Sequence, residues 1–366
     1  MKTSDVLVIG GGIAGISAAA ELAAHMSVCV LEAETVPGYH ATGRSAAIFI
    51  RNYGNATLRA LNAASAPFLA APDGIGTDSL LSPRGEMLIA TEDELDALDA
   101  YSAGATGLEA LTPDQAVELV PILCRELIAG AIIEWDAQDI DVDRMLAGYG
   151  RLLRARGGQT VTGARVEGMR RKAGVWTVRA GDTDYQAPLV VNAAGAWADG
   201  VAGLAGLAPL GLQPMRRSAA LLPAPAGHDI RTWPLFASAA EQWYAKPEAG
   251  KLMVSPADED PVEPHDAWAE DMVLAEGLHR YEQAVTHQVT RVERTWAGLR
   301  TFAPDRSPVV GFDPRAEGLF WLAGQGGYGI QTAPGLSRLA AALVAGERVV
   351  LDTDTVAALC PARFFT

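Results

Sequence analysis

The stretch that decides the fold is Asp5-Val-Leu-Val-Ile-Gly-Gly-Gly-Ile-Ala-Gly15. Val6 to Ile9 is an apolar run of strand length, and Ile13 to Ala24 follows with helical periodicity and much alanine. Between them, Gly10, Gly12 and Gly15 stand in the G-x-G-x-x-G spacing. In such a turn the first glycine allows the tight strand-to-helix reversal. The second lets a pyrophosphate approach the backbone, and the third lets the helix pack close to the strand. The helix N-terminus then faces the negative charge. A second strand, Val28 to Leu31, ends in Glu32, where an acidic residue binds a ribose hydroxyl. The glycine pattern alone is weak evidence. With strand, helix, second strand and acid around it, the stretch predicts a dinucleotide-binding unit.

The chain has 366 residues, more than one ordinary core accommodates, so about two domains are expected. Its formal charge of −15 argues against nucleic acid or an anionic membrane surface as partner. Cys29, Cys124 and Cys360 are widely spaced and odd in number, which suggests a reducing, cytoplasmic setting with neither a disulfide framework nor a metal site. Residues 6 to 20 imitate a signal-peptide core, but Lys2 and Asp5 flank them poorly, so no targeting segment and no membrane span are expected.

Further along, the Val36 to Ile48 loop is rich in small and hydroxylated residues, and Thr42, Arg44 and Ser45 could donate to phosphates or ring atoms. Leu58 to Leu69 and Glu92 to Leu98 read as helices, and Thr112 with Gln115 forms a capping box. Asp141 and Asp143 precede another helix. Val161 to Val166, Val175 to Val178 and Leu189 to Asn192 read as strands, the last running into Ala193-Ala-Gly-Ala-Trp197. Strand-like runs recur at Ser218 to Leu222, Trp243 to Lys246 and Leu252 to Ser255, with a helix from Asp271 to His287. Phe320 to Ala323 leads through Gly324-Gln-Gly-Gly-Tyr-Gly329 to a helix expected from about Pro334 to Ala345. Nucleotide-fold elements are thus split among the start, middle and end of the chain.

With these stretches in view, the chain resembles the D-amino-acid oxidase family of flavoproteins over nearly its whole length, and most resembles its catabolic D-arginine dehydrogenase type. The resemblance is carried by Gly10 to Gly15, Pro37 to Ala47, Leu81 to Met87, Val191 to Trp197, Gly211 to Ser218, Thr295 to Arg300 and Gln325 to Thr332. It implies an α/β fold. A Rossmann-like FAD-binding domain (1–48, 141–205 and 300–366) would be interleaved with a mixed-sheet α+β substrate domain (49–140 and 206–299). It implies non-covalent FAD, although His40 lies where some relatives tether flavin. The implied cofactor contacts begin with Gly10, Gly12, Ala14 and Gly15 at the pyrophosphate, and Glu32 with Ala33 at the adenosine ribose. Val166 would reach the adenine, and Gly195 the cofactor through the second small-residue turn. Ala41, Thr42, Gly43, Arg44, Ser45, Ala46, Ala47 and Ile48 would line the flavin. Gly326, Gly327, Tyr328, Gly329, Ile330 and Gln331 would lie at its ring, with the following helix directing its positive end there.

The resemblance also implies a substrate site. Arg217 and Arg300 would hold a carboxylate, Tyr53 and Tyr244 would close over it, Glu86 would receive a cationic side chain, and Gly327 would complete the site. Read without the resemblance, single arginines and glutamates are usually surface charges, so Arg217 beside Arg216 reads as a solvated pair and Glu86 as an exposed strand residue. Ile48 stands where the compared type has histidine, and Leu235 and Ala237 replace bulkier apolar residues, so a strict preference for arginine does not carry over. The implied reaction is oxidation of a D-amino acid such as D-arginine or D-lysine. Hydride would pass from the α-carbon to flavin N5, and the resulting imine would hydrolyse to a 2-oxo acid. Quinone or oxygen would be the electron acceptor. Two other readings stay open: an oxidase of secondary amines, glycine-like substrates or L-amino acids on the same fold, and a flavin-binding protein without turnover.

Overall fold

A computed structural model describes residues 2 to 365. Its organising layer is a six-stranded sheet in the order Gln159–Val161, Val28–Leu31, Val6–Ile9, Leu189–Asn192, Leu319–Ala323 and Val309–Phe312. All neighbours run parallel except the last pair. Val6–Ile9 is buried along its whole length, as a central parallel strand covered on both faces must be. The helix Ile13–Leu22 packs against Gly329–Ala345 and Val142–Ala155, and these faces share one apolar core.

Two glycines make the first turn possible. Gly10 has φ +106°, a conformation that side-chain-bearing residues rarely adopt. Gly15 sits where a Cβ would lie 1.9 Å from the Gly10 carbonyl oxygen, so the helix is pressed against the strand end with no room for a methyl group.

A second, nine-stranded sheet runs Asp260–Pro261, Gln213–Leu222, Lys251–Ser255, Tyr244–Glu248, Leu235–Ser238, Glu86–Ala90, Gly130–Glu134 and Leu108–Leu111, with Arg294–Phe302 also paired to Gln213–Leu222. Its core gathers Met87, Ile133, Phe236, Trp243, Val254 and Tyr281. A four-stranded sheet (Lys2–Thr3, Thr183–Ala187, Val175–Ala180, Val166–Lys172) and a three-stranded one complete the fold.

Two expected elements differ. The strand expected over 161–166 is two strands, Gln159–Val161 and Val166–Lys172, separated by a turn at Gly163 (φ +64°). The C-terminal helix begins at Gly329, five residues before Pro334, which lies inside it. Proline reads as a helix start because it lacks an N–H; here it stands in the second turn, after the ladder has begun with the Thr332 amide on the Tyr328 carbonyl, and it leaves the Ile330 carbonyl without an intrahelical donor.

Gly15→Ala is expected to cost about 2 kcal/mol or more, because the obstacle is backbone and cannot rotate away. Urea unfolding of the variant beside the parent protein measures this.

Candidate active site

Two connected cavities lie between the sheets. The larger, about 410 Å³, is lined by the Gly10–Ala14 turn, Glu32, Ala33, the 38–46 segment, Val166, Gly195 and Gly326. The smaller, about 110 Å³, is lined by Tyr53, Glu86, Leu88, Tyr101, Leu235, Ala237 and Glu241. Ser45, Ala46, Arg217, Tyr244, Arg300, Gly327 and Ile330 face both.

Strand register explains why two distant arginines share one wall. Gln213–Leu222 and Arg294–Phe302 are antiparallel, with Arg217 opposite Gly298 and Arg300 opposite Met215. Residues opposite one another, and residues two apart along a strand, face the same side. Arg217 and Arg300 are therefore diagonal neighbours on one face, where Gly298 lets the 41–44 turn pack close, a Cβ there lying 3.4 Å from the Arg44 Cβ and 3.8 Å from the Ala41 Cα. Arg216, one residue earlier, faces the other side. There it meets Asp258, Asp260 and Glu270 at 3.5, 2.7 and 3.1 Å. The two adjacent arginines are both buried, so they are not a solvated pair.

Their electrostatic surroundings differ. Arg217 Nε donates to the Asp258 carbonyl at 2.7 Å, and its Nη2 lies 3.5 Å from Glu259 Oε1. Its guanidinium lies 6.0 Å from the centre of the Tyr244 ring. No carboxylate among the described residues lies within 4.0 Å of the Arg300 guanidinium, whose Nη1 is buried without a hydrogen-bond partner. Gly327 lies against it: a Cβ there would be 3.0 Å from Nη1. A guanidinium is charged at any physiological pH, and a buried one without a counter-ion is costly unless an anion arrives.

Glu86 is buried at the start of the Glu86–Ala90 strand and accepts a hydrogen bond from the Tyr101 hydroxyl at 2.9 Å. It is not an exposed strand residue. Burial pushes its carboxyl up to about 8, with Glu134 and Glu241 adding to the rise and the Tyr101 hydrogen bond opposing it. Tyr53 also lines this cavity, its ring 4.7 Å from that of Tyr328, and burial raises its phenol. Tyr101, Glu134 and Glu241 were missed in the sequence. Tyr101 lies in a short helix and Glu134 in an unremarked strand, and neither carries a motif. Glu134 accepts from the Arg51 amide at 2.7 Å and from Asn52 Nδ2 at 2.6 Å, so it anchors the loop that carries Tyr53.

The larger cavity has the donor set a dinucleotide needs. The Ile13–Leu22 helix starts at its wall, and Ala14, in the first turn, has an N–H with no intrahelical acceptor. Glu32 accepts from the Gly11 amide at 2.5 Å and the Glu34 amide at 2.7 Å, which leaves a lone pair on each oxygen for ribose hydroxyls. Thr42 Oγ1 accepts from the Ile13 amide at 3.0 Å, which joins the 41–44 turn to the glycine turn.

Several of the residues singled out from the sequence stand apart from the cleft walls. Gly15 and Gly43 lie behind the turns, and Tyr328 packs behind Tyr53; none lines either cavity. Ala47, Ile48 and Gln331 line the smaller cavity, not the larger. The Gln331 amide is taken up by the Ile50 backbone and by Asn62. Arg44 lines the larger cavity, but its guanidinium is spent on the carbonyls of Tyr39, Ala267 and Ala297 and on Asp266. It acts as a strut between loops.

Comparison with known proteins agrees with this architecture. Residues 5 to 343 match the family described as DAO, FAD dependent oxidoreductase, and the chain belongs to that family. It is an FAD-dependent oxidoreductase, and FAD is its cofactor. FAD-dependent oxidoreductase domain-containing protein 1 of Mus musculus is 25% identical over 407 aligned positions, covering 94% of this chain and 81% of that one. Glycine oxidase from Geobacillus kaustophilus shares the fold with a TM-score of 0.84 at 24% identity, over 96% of this chain and 97% of that one. L-proline dehydrogenase from P. horikoshii does so with a TM-score of 0.85 at 20% identity, over 100% and 98%. No helix among the described residues is long and apolar enough to cross a membrane.

Glu86 gives a pH test of the buried carboxyl. The native carboxyl holds its proton more tightly than the unfolded one. The residue therefore destabilises the fold progressively as pH rises from the ordinary carboxylate range to about 8. Glu86→Gln removes that penalty. Flavin-free variant protein is expected to exceed the parent in stability by a few kcal/mol at a pH of about 8, and by less than about 1 kcal/mol at a pH of about 5. Urea unfolding at the two pH values checks both the direction and the widening gap.

Proposed function

We propose that this protein oxidises D-amino acids at the α-carbon, with a preference for cationic side chains such as those of D-arginine and D-lysine. The observation that carries the reading is that Arg217, Arg300 and Glu86 line one small cavity, which shares a wall with the larger cleft. FAD, held in the larger cavity by the glycine turn, Glu32 and the 38–46 segment without a covalent tether, would supply a hydride acceptor. The two guanidiniums hold the substrate carboxylate, and the pairing is favourable because Arg300 brings an unpartnered buried N–H. Tyr53 and Tyr244 close over the substrate, and Glu86 receives the far end of its side chain. Fixing both ends orients the α C–H, which is the main catalytic contribution of these residues. The substrate amine must be neutral to expel hydride, so the rate rises with pH through an amine-like ionisation. Oxygen or a quinone takes the electrons onward.

A second reading is oxidation of small neutral amines or imino acids. It is favoured by the apolar walls of the smaller cavity (Ile48, Leu88, Leu235 and Ala237) and by the burial that raises the Glu86 carboxyl above the ordinary carboxylate range. The solved structures of like fold include enzymes whose titles name glycine, L-proline and iminodiacetate.

An anaerobic flavin-reduction screen with both enantiomers of the common amino acids, glycine and iminodiacetate separates the two. Bleaching by D-arginine and D-lysine ahead of the small substrates supports the first reading, and the reverse order supports the second. Under the first, Glu86→Leu lowers kcat/KM for D-arginine by about tenfold to a hundredfold and leaves small apolar substrates nearly unchanged. Arg300→Met lowers kcat/KM for every carboxylate substrate by about a hundredfold or more.

A further inference from the structure

We propose that Tyr101 is a positioning residue that decides which side chains the smaller cavity accepts, acting through its hydrogen bond to Glu86. The inference deepens the reading above and rests on it. Tyr101 has no place in the carboxylate end of the site, and no motif marks it. The geometry points to it because it supplies the side-chain hydrogen bond that Glu86 receives within the protein, at 2.9 Å. No cationic group among the described residues lies within 4.0 Å of Glu86. The other groups facing this carboxyl oppose its charge. Glu134 stands directly across from it on the neighbouring strand, Glu241 lines the same cavity, and Leu235 flanks it on the other side.

Tyr101 is held where it can do this work. It sits in the helix Leu95–Ser102, whose preceding turn is tied down at Glu94. The Thr91 amide donates to Glu94 Oε2 at 3.2 Å, and the hydroxyl of Ser238, a residue of the cavity wall, donates to Oε1 at 2.5 Å. Leu98, in the same helix, packs with Leu88 and Ile132. The phenol thus reaches Glu86 Oε2 from a fixed element, and Oε1 is left for a ligand. A carboxylate crowded by two other acids carries its charge only if donors and a cation favour it. Tyr101 supplies the donor and the substrate supplies the cation. Without the hydroxyl, Glu86 keeps its proton, and the cavity suits a neutral side chain instead.

The test uses the FAD-loaded protein and two carboxylates that lack an α-amine and so cannot be oxidised, valerate and δ-guanidinovalerate. They share a carboxylate and an alkyl chain and differ in the cation. Binding is followed by perturbation of the flavin absorption across pH, with Tyr101→Phe, Glu86→Gln and the double variant beside the parent. Flavin content equal to the parent's and a single cooperative thermal transition establish that each variant folds. Tyr101→Phe is expected to weaken δ-guanidinovalerate about tenfold near neutral pH, to move the pH dependence of its binding upward, and to leave valerate within about twofold. In the Glu86→Gln background, Tyr101→Phe is expected to change neither ligand further, as a residue acting only through Glu86 must. Equal weakening of both ligands, or an unaltered preference between them, overturns the proposal. So does a parent protein that binds valerate but gains nothing from the guanidinium. A parent protein that binds neither ligand overturns the carboxylate anchoring by Arg217 and Arg300 as well, so the two failures are told apart.

Discussion

The site depends on one ladder of strand pairing. Setting Arg217 opposite Gly298 and Arg300 opposite Met215 puts two guanidiniums on the same face of the sheet, and the glycine lets the 41–44 turn approach that face. A slip of one residue in either strand would turn one arginine to the opposite face. Arg216 already faces that side and is neutralised there by three carboxylates. The sheet therefore sorts adjacent positive charges by parity. The even-numbered residue of the pair is paired within the protein, and its odd-numbered neighbour is turned toward the cavity.

From this follows the division of labour between the two cavities. The glycine turn, Glu32 and the small residues of 38–46 and 193–197 supply backbone donors and close approach, which suit an extended ligand with a diphosphate. The smaller cavity is a different chemical place. Its lining sets Ile48, Leu88, Leu235 and Ala237 beside Arg217, Arg300, Glu86 and Glu241, and the Glu86 carboxyl is lifted by burial. The walls that face both are what make the assembly one site.

How much of this was legible beforehand follows from how local each signal is. The turn at Gly10 to Gly15 announces itself because its constraints are met within eleven consecutive residues, and the capping box at Thr112 is local in the same way. The partition of Arg216 from Arg217 was not legible, because it depends on pairing with a strand some eighty residues later. Arg44 misled for a related reason. A basic residue in a glycine-bearing loop beside a phosphate turn invites assignment to phosphate, and only the folded chain brings Ala267, Ala297 and Asp266 close enough to consume its donors. Tyr101 carries no sequence signal at all. It matters through a single hydroxyl that meets Glu86 across fifteen residues.

The seven residues that belong to both cavities have a consequence for assembly. A wall with two sides cannot be set by one occupant alone, so whatever fills the larger space also shapes the smaller. Affinity at either is then thermodynamically tied to occupancy of the other, and the tie is reciprocal by necessity. By whatever factor the nucleotide changes the affinity for a ligand at the arginines, that ligand changes the affinity for the nucleotide by the same factor, so the polypeptide stripped of its nucleotide is a poor guide to what it recognises.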